Sequence, residues 1–101
     1  MRANRSSVVI GGSSGVGRAL VELLSARGDR VLATARDLRD LEAMQRDCAV
    51  RIGTEMRIEA VDLSSADFDP DSFIERCTQS IGRITHVSLP VGASPGRIGA
   101  W

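Results

Sequence analysis

The sequence predicts an α/β fold, a parallel sheet with helices on both faces. Three observations carry that expectation. Short apolar or β-branched runs alternate along the chain with longer stretches whose apolar residues recur at helical spacing. Capping and stop residues bracket those longer stretches. The first run ends in a glycine-rich turn that opens straight into a helical pattern, as in a strand–turn–helix unit of a wound α/β sheet.

Taken in order, Ser7, Val8, Val9 and Ile10 suit a buried strand, and the run stops at glycine. Beyond the glycines, Val16, Leu20, Leu23, Leu24 and Arg27 recur at helical spacing, with Gly28 placed as the C-terminal stop. Arg30 to Ala35, "RVLATA", is a second strand. Asp37 can cap a helix from Leu38 to Ala49 with Leu38, Leu41, Met44 and Cys48 on one face. "MRIEAV", Met56 to Val61, alternates as a third strand should. Asp69 as N-cap and Pro70 at the first helical position start a helix carrying Phe73, Ile74, Cys77 and Ile81 inward, and Gly82 ends it. Ile84 to Leu89 forms a fourth strand, and residues 90–101 have no period and read as an irregular tail.

At 101 residues the chain is a single domain. Such a chain buries roughly 65% of its unfolded surface, so a core is within reach. Thirteen basic and thirteen acidic residues balance to zero, which leaves no global field to recruit nucleic acid or an anionic membrane. All thirteen basic residues are arginines, and the chain has neither lysine nor tyrosine. The N-terminal "MRANRSS" is basic, but the apolar run after it is broken by glycine too soon for a signal peptide. No apolar run approaches the ~20 residues that span a bilayer, so a cytoplasmic protein is expected. Cys48 and Cys77 fit no metal-ligand spacing, and each lies on the apolar side of a helix, where a free cysteine acts as a small hydrophobe.

The stretch "SSVVIGGSSGVGRALVELL", residues 6–24, poses the functional question. A flexible Gly/Ser linker is the bland reading, and the two patterned flanks argue against it. A glycine turn between strand and helix N-terminus gathers unpaired backbone N–H groups at the positive end of the helix dipole, which makes an anion site. The spacing from Gly12 to Gly17 suits a mononucleotide phosphate loop, but Arg18 and Ala19 follow where that loop needs a lysine and a hydroxyl. The dinucleotide-binding turn needs only glycines and the helix end. In that fold the strand order is 3-2-1-4 with right-handed crossovers, which places Cys48 and Cys77 on opposite sides of the sheet and the glycine turn at the switch point where ligands bind.

Gly11, Gly15 and Gly17 give G-x-x-x-G-x-G, a spacing that resembles the short-chain dehydrogenase/reductase family. Ile10 to Gly17 line up with that family's T-G-x-x-x-G-[IV]-G, with Ile10 standing where the threonine hydroxyl usually ties the turn. "GRALVELLSARGDRVLATAR" continues in the same manner to Arg36. The resemblance implies a Rossmann-like sheet in which Gly11, Ser13, Ser14, Gly15, Val16 and Gly17 hold the cofactor. An acid ending the second strand would read the ribose of NAD, but Ala35 stands there. Arg36 comes next and resembles the phosphate-binding arginine of NADP-preferring members, its planar donors suiting a phosphate. The competing reading is a solvated arginine opening a loop. Some NADP-type members add a basic residue before the middle glycine, and here that is Ser14. Asp62 and Leu63 match the family's Asp-Val/Leu pair beside the adenine, although an Asp ending a strand also serves as a turn former.

The likeness fails after Val87. Leu89, Pro90, Val91 and Gly92 occupy the place of an Asn-Asn-Ala-Gly element, and the family's serine and Tyr-x-x-x-Lys are missing from these 101 residues. In the family that tyrosine moves a proton at the substrate oxygen and the lysine lowers its pKa. His86 lies mid-strand among apolar residues and reads as structural. No catalytic residue and no metal site is therefore expected. Two functions remain: the NADP(H)-binding portion of a truncated or frame-shifted reductase, or a non-catalytic module that binds the dinucleotide or a partner. The fourth strand is an edge without lysine, charge or internal proline, which predicts self-association there.

Overall fold

The computed structural model describes residues 5–11 and 15–89. The elements are β1 (Ser6–Ile10), α1 (Gly15–Ala26), β2 (Arg30–Ala35), α2 (Leu38–Arg51), β3 (Arg57–Ala60), α3 (Pro70–Ile81) and β4 (His86–Ser88). The four strands form one sheet in the order β3-β2-β1-β4, and every neighbouring pair is parallel. This is the expected order.

Local chemistry explains the helix boundaries. Asp37 takes an extended conformation and its side chain accepts from the backbone N–H groups of Arg39 and Asp40, a cap that starts α2. Asp69 does the same for α3, accepting from the Asp71 N–H, with Pro70 in the first turn, where its missing N–H costs nothing. The Asp69 carboxyl is held below the usual carboxylate range, chiefly by a hydrogen bond from the Ser72 hydroxyl. Asp37→Ala is expected to destabilise the domain by about 1 kcal/mol. Urea unfolding checks this, and an unchanged midpoint would show that the cap is not needed.

The sheet separates two apolar clusters. On one face α1 and α2 bury Val21, Leu41, Met44 and Cys48 against Val9 and Val31. On the other, α3 buries Phe73, Cys77 and Ile81 against Val8 and Leu32. The two cysteines are free and lie on opposite faces, as expected. Burial pushes both thiols above their ordinary range, consistent with hydrophobic filling rather than reactivity.

Several expectations need correction. The buried stripe of α1 runs through Gly17, Val21, Leu24 and Ser25; of the expected residues Leu24 is buried and Leu20 packs partly buried against the core, but Val16 and Leu23 are exposed. The stripe is rotated by about one residue, so that the side-chain-free Gly17 faces the sheet and Leu23 is exposed. Leu38, at the first position of α2, is also exposed. Ile74, expected inward, is 48% exposed. The second helix runs to Arg51 rather than Ala49, and the fourth strand pairs only over His86–Ser88. The third strand is Arg57–Ala60, flanked by a fully buried Met56. The tail from residue 90 lies outside the described residues.

Candidate functional site

The register of the strands brings the candidate residues to one edge. Ile10 pairs with Thr34, and Ala35 pairs with Ala60. The chain leaves β1 at Gly11, β2 at Arg36 and β3 at Val61, all on the carboxyl edge of the sheet. Two hydrogen bonds extend the ladder past the strand ends. The Gly11 N–H donates to the Thr34 carbonyl, and the Val61 N–H to the Ala35 carbonyl, each at 2.8 Å. The first ties down the turn in which Ile10 supplies no hydroxyl. Thr34 is fully buried and donates its own hydroxyl to the Val9 carbonyl at 3.4 Å.

Gly11 and Gly15 have φ of 82° and 58°, a region that L side chains rarely adopt. Among the described residues a Cβ at either position would meet no atom within 4 Å. The glycines are thus required by backbone conformation, and they face open space that a ligand can enter. Helix α1 begins there with no acidic residue in its first turn, so its positive end is not neutralised from within. Gly17 is buried and brings the helix close to the sheet, while Val16 is 60% exposed beside the turn. Ser13 and Ser14 lie outside the described residues. The donor set and the open cradle fit the diphosphate of a dinucleotide.

At the neighbouring strand ends Arg36 is exposed, and among the described residues it enters none of the ion pairs. Asp62 is a turn former: its Oδ1 accepts from the Ser64 N–H at 3.0 Å and from the Ser64 hydroxyl at 2.6 Å. Those bonds hold its carboxyl below the usual carboxylate range, and the Arg36 charge adds to them. Leu63 follows, 41% exposed. Among the described residues no group of three or more His, Cys, Asp or Glu could hold a metal ion. No described helix is long and apolar enough to cross a membrane. His86 is exposed, with Nδ1 2.9 Å from the Thr85 hydroxyl oxygen. It pairs in register with Ser7 and so lies well down the sheet from Gly11.

Two features of the site were not anticipated. Ser64 was one, although the Asp-x-Ser spacing after a strand is itself a turn signature. The other is a ring of charges, in which Arg18, directly after Gly17, pairs with Glu22 and Asp47, and Arg51 pairs with the same two carboxylates. The ring joins the first turn of α1 to the last turns of α2. Two of its pairs, Arg18–Asp47 and Arg51–Glu22, join residues 29 apart, beyond any local signal, while the other two are i,i+4 pairs within one helix.

A parallel sheet in this order, with a glycine turn leading into the first helix, defines the Rossmann-like class of α/β proteins. The chain matches the short chain dehydrogenase family over residues 5–97, so the likeness runs past Val87, where it was expected to fail, and the chain belongs to that family. L-xylulose reductase of Bos taurus is 33% identical over 89 residues, covering 88% of this chain. A metagenomic short-chain oxidoreductase solved in complex with NADP is 35% identical, with a TM-score of 0.72, covering 82% of this chain and 37% of that one. An alcohol dehydrogenase from the archaeon Thermococcus sibiricus, complexed with 5-hydroxy-NADP, shares the fold at 24% identity and a TM-score of 0.74, over 84% of this chain and 36% of that one. The chain spans 31% of the length of the curated relatives it matches, the bovine protein and a 3beta-hydroxysteroid dehydrogenase 2 of Eggerthella lenta.

Proposed function

We propose that these residues form the NADP(H)-binding portion of a short-chain dehydrogenase/reductase-type oxidoreductase. The observation that carries the preference is an unpaired Arg36 at the end of β2, where Ala35 replaces the acid that reads the ribose of NAD. The NADP held by the metagenomic relative, 35% identical to this chain, supports it. In this reading the Gly11, Gly15 and Gly17 backbone and the α1 N-terminus hold the diphosphate, together with Ser13, Ser14 and Val16. Arg36 takes the 2′-phosphate, and Asp62 and Leu63 flank the adenine. When bound, the cofactor supplies or accepts a hydride; no described residue of this chain is assigned a proton transfer.

Calorimetry with NADP and NAD tests the proposal. A charge-assisted contact from Arg36 contributes about 1.5–3 kcal/mol, so NADP should bind roughly ten- to a hundredfold more tightly. Arg36→Ala should remove that preference. Equal affinities in the unaltered protein, or a preference that survives the substitution, would overturn the assignment.

A second reading is a non-catalytic module that binds a partner or a second copy of itself along β4. The exposed apolar residues beside that edge strand favour it. The nucleotide sequence separates the two, since another frame running past Val87 into a serine and Tyr-x-x-x-Lys supports the reductase.

A further inference from the structure

Arg36 stands between two carboxylates and pairs with neither. Asp37 is its neighbour in sequence. Asp62 is its neighbour across the sheet, because the Val61 N–H bonds the Ala35 carbonyl at 2.8 Å and sets the two strand ends side by side. A pair between an exposed arginine and either acid would gain at most ~1 kcal/mol, so a modest competing bond is enough to decide it. Here each acid is engaged elsewhere. Asp37 caps α2, with Oδ1 2.8 Å from the Arg39 N–H. Asp62 is held by Ser64 through both its backbone N–H and its hydroxyl, at 3.0 and 2.6 Å on the same oxygen.

We propose that Ser64 is a positioning residue for cofactor choice: by holding the Asp62 carboxylate in its turn, it keeps the Arg36 guanidinium open to the 2′-phosphate of NADP. The inference rests on the NADP(H) reading above. Ser64 touches no part of the cofactor in this account and acts only through Asp62. Without the hydroxyl, the Asp62 carboxylate keeps only the Ser64 backbone N–H and swings more readily toward Arg36, where it competes with the incoming phosphate. The Asp37 carboxylate stays in its cap, which makes Asp62 the competitor that matters.

The test is a double-mutant cycle read as the ratio of NAD to NADP dissociation constants in the 101-residue chain. Adenine, diphosphate and nicotinamide are common to both ligands, so the ratio cancels any contact that Asp62 makes to the adenine. An exposed ion pair is worth up to ~1 kcal/mol, so Ser64→Ala should lower the preference for NADP by about two- to fivefold. In the Asp62→Asn background Ser64→Ala should change nothing, because the competing charge is gone. Ser64→Thr, which keeps the hydroxyl, should preserve the preference.

A ratio untouched by Ser64→Ala, while Arg36→Ala abolishes it, overturns this proposal and leaves the NADP(H) reading standing. Equal weakening of both ligands also overturns it, because Ser64 then merely supports the loop. An identical drop in the Asp62→Asn background does the same. A ratio of one in the unaltered chain takes both readings down.

Discussion

The 101-residue polypeptide is expected to transfer no hydride to or from a carbonyl substrate at a measurable rate, even saturated with NADP(H). Carbonyl reduction needs a group at the reacting oxygen that gives up a proton near neutral pH. The chain has neither tyrosine nor lysine. Both thiols are buried and shifted away from ionisation. Asp62, at the correct edge of the sheet, is held below the ordinary carboxylate range and so carries no proton to give at pH 7. The single histidine is in the wrong place: His86 is level with Ser7, which at ~3.3 Å per residue is about 13 Å below Gly11 along the strands. The measurement is a spectrophotometric assay of the pure chain against a panel of aldehydes, ketones and sugars. Turnover above background that disappears in His86→Ala would show that the histidine reaches the substrate after all.

The parts of the fold legible in the sequence are those with local causes. Asp37, Asp69 with Pro70, and Gly82 mark helix ends through bonds within a few residues, and the structure places α2 and α3 accordingly. The glycine spacing is legible for the same reason, since positive φ at Gly11 and Gly15 is a property of the turn itself. Packing choices were less legible. Helix α1 carries apolar residues on more than one side, and only the sheet decides that Val21 rather than Leu23 is buried. Leu38 and Val16 satisfy the helical repeat but lie in the first turns of their helices and are exposed.

The site divides along the same line. Arg36 and Asp62 were found from their positions in the βαβ frame, and the hydrogen bond from Val61 to the Ala35 carbonyl puts their strand ends together. The sequence could not show that they fail to pair, because that depends on which hydrogen bonds Asp62 makes. The charge ring of Arg18, Glu22, Asp47 and Arg51 is a tertiary feature. It ties the first turns of α1, which lead out of the glycine loop, to the last turns of α2. Each pair is half-exposed and contributes little singly, and the value of the ring lies in geometry rather than stability.

The isolated chain is expected to self-associate through β4. Among the described residues that strand pairs only with β1, so its outer side presents unpaired backbone groups. Val87 is level with Val8, on the face that α3 covers, yet it is 56% exposed. Leu89, two residues on along the same face, is 54% exposed, and Ile74 on α3 is 48% exposed. The cause is the placement of α3. Its Phe73 and Cys77 pack on Val8 and Leu32, and Arg76 reaches Glu59 on β3 at 2.7 Å, so the helix leans away from β4. Fully burying one such side chain contributes about 1.5–3 kcal/mol, and the half-exposed set on two copies together offers about 4–9 kcal/mol. Association costs about 4–15 kcal/mol in lost freedom. Strand pairing must add to the apolar contribution, and the complex should be weak and concentration-dependent. Sedimentation across a range of concentrations, with a dye that reports apolar surface, should show growing association and dye binding that falls as copies pair. Val87→Lys, which places a charge on the bare edge, should hold the chain monomeric without unfolding it. A monomer at every concentration with no dye bound would mean that this flank is already covered.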